Sequence, residues 1–169
     1  MDWNFGNDLK SEQEKTLILL DKQFENKQVR PSFEILGGTA LLLHDIEHIV
    51  TVDIDVANKL DEETRSIVEP LISDAASEVA TLAKNYKQRL VPYKKELFKN
   101  IDVYLLSKED LVITKLGAGR YKDVEDLTRT SILKDVDINK ITAIINNEFD
   151  TMTASKLLTQ FLRVGDLLY

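Results

Sequence analysis

Residues 35–58 constrain the fold of this chain more than any other segment, because a Gly-Gly-Thr turn there leads to a β-type segment carrying Asp53 and Asp55. Successive side chains of a strand point to opposite faces, so these two aspartates share one face. Like charges held side by side are costly unless a cation lies between them. The segment therefore predicts a strand, a turn, a buried helix and a second strand that together form a phosphate- and metal-binding edge.

The rest of the chain predicts helices and strands around this unit. Predicted helices cover residues 8–28, 39–44, 62–86 (kinked or split at Pro70), 107–116, 123–133, 139–149 and 153–168, and predicted strands cover 33–36, 50–57, 89–93 and 97–106. Strands and helices mix in the first part and only helices follow, so we expect an α+β fold. The length favours one domain over residues 1–169, with a sheet-containing core over about 1–106 and a helical part over about 107–169.

Composition narrows the classes of function. The net charge is −7, from 29 acidic and 22 basic residues, so a general electrostatic grip on nucleic acid is not expected. The basic residues between Lys84 and Lys99 predict either a solvated surface or a local phosphate-binding patch. The chain has no cysteine and no apolar run of the roughly 20 residues that a membrane span needs. We therefore expect a soluble, cytoplasmic protein without a membrane partner.

The acidic residues predict a magnesium site. Mg²⁺ prefers oxygen ligands and is usually held by one or two carboxylates together with substrate phosphates and water. Asp53 and Asp55 supply two carboxylates from one strand, and chemistry with two metal ions usually needs a further carboxylate. Asp102 is the best candidate for that third ligand, because it is the acid within an otherwise apolar predicted strand, N-I-D-V-Y-L-L.

The glycine turn predicts an anion site. Gly37 and Gly38 let the backbone approach a ligand closely and place free amide groups at the start of a helix, where anions are stabilised. Thr39 adds a hydroxyl at the same place. A Gly-Gly pair after a strand is also common in ordinary tight turns, so this feature gains weight only beside the aspartates.

In their order along the chain, these motifs resemble those of a known superfamily. L-G-G-T-A-L, then T-V-D-I-D-V, then a strand carrying Asp102 is similar to the nucleotidyltransferase pattern. The run S-K-E-D-L-V-I-T-K-L-G-A-G-R-Y-K-D-V-E-D-L is similar to the helical motif of AbiEii-like and related uncharacterised nucleotidyltransferases of bacterial toxin–antitoxin and phage-defence systems. The resemblance covers about residues 35–127 and implies a small mixed β-sheet flanked by helices.

The resemblance also implies roles for individual residues. Asp53, Asp55 and Asp102 would form the catalytic Mg²⁺ site; Gly37, Gly38 and Thr39 would cradle the β and γ phosphates; Lys115 would offer a point charge; and Asp123 and Asp126 would orient Lys115 and Arg120 or contact the substrate. The implied reaction moves a nucleoside monophosphate from an NTP to an unknown hydroxyl of a tRNA, a protein or a small molecule. An antitoxin is an implied partner. A purely structural charge network is an equal interpretation of Asp123 and Asp126.

Two alternatives remain open at this point. Relatives often carry an arginine where this chain has Ile49. The chain could therefore be a catalytically inactive relative that serves as a binding module. The same carboxylates would also suit a metal-dependent nuclease.

Overall fold

The structure is a computed structural model that describes residues 5–168, with side chains from residue 8 onward; residues 1–4 and Tyr169 lie outside the described part. In chain order the elements are α1 (Phe5–Gln23), β1 (Ser32–Leu36), α2 (Gly37–Leu43), β2 (Ile54–Val56), α3 (Glu62–Val68), β3 (Ile72–Ser73), α4 (Ala76–Val79), β4 (Val91–Pro92), β5 (Asp102–Leu105), α5 (Lys108–Ala118), α6 (Tyr121–Arg129), α7 (Ile132–Asp135), α8 (Ile138–Glu148) and α9 (Thr151–Leu168). Short 3-10 turns occupy Tyr86–Arg89 and Lys95–Leu97.

The strands form one mixed sheet in the order β3-β2-β1-β5-β4. β1 pairs parallel to β5 and antiparallel to β2, while β3 runs parallel to β2 and β4 antiparallel to β5. The register places Leu36 opposite Asp55 and Ser32 opposite Asp102. Helices alone follow β5, so the predicted α+β plan with a helical C-terminal part is confirmed.

The core lies between this sheet and the helices that pack on it. β1 is the central strand, and Phe33 and Ile35 are fully buried. In β5 the predicted alternation is observed, since Val103 and Leu105 are buried while Asp102 and Tyr104 are partly exposed. α2 and α5 bury most of their length, which explains the continuous apolar runs in both segments.

The helix predicted over residues 62–86 stops just before Pro70, in agreement with the predicted split there, but the long second helical piece is wrong. α3 ends at Val68, and Glu69 adopts an extended conformation with ψ 144°. Pro70 disfavours helix in the residue before it and has no N–H to donate, so the helix stops there. Ile72 then pairs with Ile54 in the sheet and is buried, which stabilises a short strand where helical periodicity had predicted more helix.

The predicted strands 50–57, 89–93 and 97–106 are longer than those observed, which are β2, β4 and β5 respectively. Val50 and Val52 are 62% and 77% exposed and precede the first paired residue of β2. High β-propensity alone does not make a strand without a neighbour to pair with. The residues before β2 instead form an irregular loop along the edge of a cavity.

The start of α5 is as predicted. Ser107 caps the helix by accepting from the Asp110 amide at 3.1 Å, and its hydroxyl donates to the Asp110 carboxylate at 2.6 Å. The predicted helix 107–116 ends too early, because α5 continues to Ala118. A Cβ at Gly117 would lie 2.4 Å from Thr81 Cβ, so this glycine allows a close approach between two segments. Within residues 5–168, none of the helices combines the length and apolar character that crossing a membrane requires.

Candidate functional site

A cavity of about 510 Å³ lies between the carboxyl end of β1, the loop before β2, the segment at α4 and the helices α5 and α6. It brings together most of the residues that the sequence pointed to, namely Gly37, Gly38, Asp53, Asp55, Lys115, Arg120, Asp123 and Asp126. Two predicted site residues, Thr39 and Asp102, are not part of its wall. The site therefore assembles from segments more than 70 residues apart in the sequence.

Asp55 lies beside the glycine turn because β2 pairs with the end of β1, opposite Leu36. Asp53 lines the same cavity two residues earlier and is exposed. Burial raises the pKa of the Asp55 carboxyl, the neighbouring charge of Asp53 raises it further, and Arg120 and Lys122 lower it. This mutual repulsion is what a divalent cation relieves, and two carboxylates with room for phosphate oxygens suit Mg²⁺. Within the described residues, no group of three His, Asp or Glu side chains could hold a metal ion.

The glycine turn has a backbone conformation that favours glycine. Gly37 has a φ of +70°, in the left-handed region, and a Cβ on it would lie 3.9 Å from Asp55 Oδ2. A Cβ on Gly38 would come within 2.9 Å of the Thr51 Cβ. The absence of a side chain at Gly38 therefore allows the loop before β2 to pack directly against the turn. Leu36, the residue before α2, makes no side-chain hydrogen bond that would cap the first amides of the helix. The turn therefore presents bare backbone to the cavity beside the aspartates.

Thr39 stabilises the backbone of this site. It is fully buried, and its hydroxyl donates to the Asp53 carbonyl at 2.6 Å. The hydroxyl hydrogen of Thr39 is therefore taken by a backbone carbonyl, and the predicted phosphate contact of Thr39 stays a prediction. Its observed role is to hold the backbone that carries Asp53.

The opposite wall carries a network of charges from α5 and α6. Lys115 Nζ lies 2.8 Å from Asp126 Oδ2 and 3.6 Å from Asp123 Oδ1. Arg120 Nε donates to Asp123 Oδ2 at 2.8 Å, and this bond is the main reason that the pKa of Arg120 is raised. The charge network predicted for these four residues is thus present, and it also faces the cavity. A contact of Asp123 or Asp126 with a substrate stays a prediction.

Asp102 is not beside the other aspartates, and the prediction that it completes their site is wrong in position. β5 runs parallel to β1, so Asp102, its first residue, lies level with Ser32 at the start of β1. Asp55 lies level with Leu36 at the end of β1, about 13 Å farther along the strand direction at the usual rise of a strand, and on the other side of β1. Asp102 instead pairs with Arg30, whose guanidinium lies 3.1 Å from its carboxylate.

The cavity wall also contains residues to which the sequence analysis assigned no role. Lys122 adds a third cation, and Thr51 lies against Gly38. Thr51 is the threonine two residues before the first aspartate, so its place in the motif was a usable signal. The wall from Ala75 to Thr81 had no such signal, because that segment was predicted as continuous helix.

Ile49 belongs to the core. Its side chain is only 3% exposed, while His48 before it has a φ of +67° and lies at the surface. An arginine is therefore not merely missing at position 49; an apolar residue packs there instead. The cations that face the cavity come from α5, from α6 and from the residue that precedes α6.

A family model described as "Nucleotidyltransferase of unknown function (DUF6036)" matches residues 15–162. The matched region includes every predicted site residue. No curated protein and no solved structure matches the chain. The finer resemblance to AbiEii-like groups stays a prediction.

Proposed function

Because the chain belongs to this family of nucleotidyltransferases of unknown function, we propose that it transfers a nucleoside monophosphate from an NTP to a hydroxyl acceptor in a Mg²⁺-dependent reaction. One observation carries this proposal. A single cavity joins a carboxylate pair, a bare glycine turn and three cationic side chains, Lys115, Arg120 and Lys122. Metal, phosphate and counter-charge are what such a transfer requires.

Asp53 and Asp55 would hold the metal, which supplies positive charge to the triphosphate when it is bound. Gly37 and Gly38 line the same cavity, and their backbone amides would donate hydrogen bonds to phosphate oxygens. Lys115 would add a fixed point charge, held in place by Asp126. The acid pair and the glycine turn thus orient the phosphates before reaction.

In the transfer itself, the acceptor oxygen forms a bond to the α phosphorus as the bond from that phosphorus to the pyrophosphate oxygen breaks. The hydroxyl proton passes to a carboxylate of the cavity wall. Asp102 does not serve as this base in the proposal, since it lies at the other end of the sheet. The acceptor is to be sought among tRNAs, proteins and small molecules, and an antitoxin partner and a cytoplasmic location belong to the same proposal.

A second candidate function is that of a catalytically inactive binding module. The burial of Ile49, where relatives often carry arginine, favours it. So does the pairing of Lys115 and Arg120 with Asp126 and Asp123, which leaves less free positive charge for a triphosphate. Under this alternative the cavity would bind a ligand without turnover.

The test compares three isosteric variants, Asp53→Asn, Asp55→Asn and Asp102→Asn. Binding of each NTP is measured by calorimetry and thermal shift, with and without Mg²⁺. The first two variants should lose Mg²⁺-dependent NTP binding, and D102N should bind as the parent does, because its carboxylate is remote. Equal binding by D53N, D55N and the parent would reject the site. NTP binding without transfer to any acceptor would favour the module.

A further inference from the structure

A second cavity of about 450 Å³ opens beside the first. The two cavities share Lys122 and Asp126, so they meet at one face of α6. The wall of the second cavity comprises His48 and Val50 from the loop before β2 and Lys122, Glu125, Asp126 and Arg129 from α6. Its volume lies within the range of about 300–1,000 Å³ that small-ligand pockets have.

The charged side chains of this wall differ in whether they have an ion-pair partner. Glu125 forms an ion pair with Arg129, and Asp126 is bound by Lys115 from the first cavity. Among the described residues, no carboxylate lies within 4.0 Å of Lys122. Both acids thus have a cationic partner, whereas Lys122 has no direct ion pair among the described residues and acts only at longer range on the Asp55 carboxyl of the first cavity.

The remaining wall suits the organic part of a ligand. Val50 is 62% exposed and offers an apolar surface, and His48 offers ring nitrogens beside it. Arg129 donates to Glu125 from Nη1 and is 69% exposed at its side chain, so its other N–H groups can meet an incoming anion while the pair with Glu125 is kept. A guanidinium and an ammonium placed together bind phosphate oxygens by charge-assisted hydrogen bonds.

We propose that this second cavity is the acceptor subsite and that it takes an acceptor group carrying a phosphate near its reactive hydroxyl. The phosphate would lie between Lys122, Arg129 and His48. The hydroxyl would point past Asp126 into the first cavity. The inference rests on the proposed function, because it assigns the first cavity to the NTP.

The two histidines allow a direct test on the full chain. His48 lines the second cavity, whereas His44 is partly buried with its Nε2 2.8 Å from the Leu106 carbonyl and lines neither cavity. Inorganic phosphate is titrated while the imidazole NMR signals of both histidines are followed, with chloride at matched ionic strength as the blank. Phosphate should move the His48 signal to saturation and leave the His44 signal in place, both alone and with saturating Mg²⁺-NTP.

Substitutions test whether phosphate binds in the second cavity. Arg129→Gln and the cavity-filling Val50→Trp should each weaken phosphate binding at His48 by about tenfold or more. Lys156 lies on α9 and outside both cavities. Lys156→Gln removes a cation there and should change phosphate affinity at His48 by less than about twofold. Thermal unfolding of each variant checks that it is folded.

The outcomes separate the two proposals. If Mg²⁺-NTP binds but phosphate leaves His48 unmoved, or if NTP displaces the phosphate, the acceptor subsite is rejected while the proposed function stands. If no NTP binds, the acceptor role falls together with the proposed function, even where phosphate still moves His48. Saturable binding at His48 that survives NTP and is lost in R129Q and V50W supports the inference.

Discussion

The ammonium of Lys115 lies 2.8 Å from the carboxylate of Asp126, and the two side chains are only 6% and 14% exposed. The pair joins α5 to α6 in the wall of the first cavity, and Asp126 also lines the second. A buried lysine charge is tolerated only when carboxylates satisfy it. The ion pair therefore stabilises the fold and also fixes the orientation of the Lys115 side chain within the site.

Asp126→Asn should lower the free energy of unfolding by about 1–3 kcal/mol, because Lys115 would keep only Asp123, 3.6 Å away, as a charged partner. Urea denaturation measures this. Glu125→Gln is the matched control on the same helix, since its partner Arg129 is 69% exposed and the pair is worth less than about 1 kcal/mol. Equal losses in the two variants would contradict the argument from burial.

Arg89 ties three elements together and is the clearest structural cation of the basic segment between Lys84 and Lys99. It contacts Asp110 at 2.8 Å and Glu148 at 2.6 Å, and it holds the pKa of the Glu148 carboxyl below its ordinary value. Arg89→Met would leave two buried carboxylates without a cation. We expect a loss of about 3 kcal/mol or more in chemical denaturation.

The control for Arg89 is Lys94→Met, which removes a more exposed cation paired with Glu14 at 2.9 Å. That variant should lose less than about 1 kcal/mol. A small effect of R89M would mean that this cation is solvated and free to bind a ligand, as the alternative interpretation of the basic segment supposed.

Gly37→Ala should be destabilising by about 1–2 kcal/mol, because a residue with a Cβ is strained at a φ of +70°. It should also weaken Mg²⁺-NTP binding, since the turn lies beside Asp55. Gly165→Ala on α9 is the control: a Cβ there meets nothing within 4 Å, and alanine should stabilise the helix by about 0.5–1 kcal/mol. Thermal unfolding should show a lower melting temperature for G37A and a higher one for G165A. A shift in the same direction for both variants would be inconsistent with the turn geometry.

His44 should lower the free energy of unfolding in mild acid. Burial lowers its pKa from the ordinary value of 6.5, so the unfolded chain binds more protons than the folded chain as pH falls below 6.5. Its contribution is complete above pH 6.5 and decreases as pH falls towards the folded-state pKa. His44→Gln removes this dependence. Urea denaturation of both proteins at several pH values should show the difference in stability narrowing in acid, and parallel curves would refute it.

Much of the candidate site was predictable because its parts are local. The two aspartates share a face by strand alternation, and the Gly-Gly turn precedes them by one helix and a loop. Lys115, Asp123 and Asp126 follow one another on two consecutive helices. The cavity joins these parts as the motif order indicated. Lys122 was visible in the same run, but no local rule separated it from a solvated lysine.

The sequence by itself determined the Ser107 cap, the alternation along β5 and the aspartate pair, because each follows from interactions within a few residues. Only the tertiary structure decided that Asp102 lies level with Ser32 and far from Asp55, and that residues 72–73 join the sheet. Strand order and register depend on burial and hydrogen bonding between distant segments, which local periodicity does not encode. The same long-range packing brought α6 against the loop before β2 and so created the second cavity.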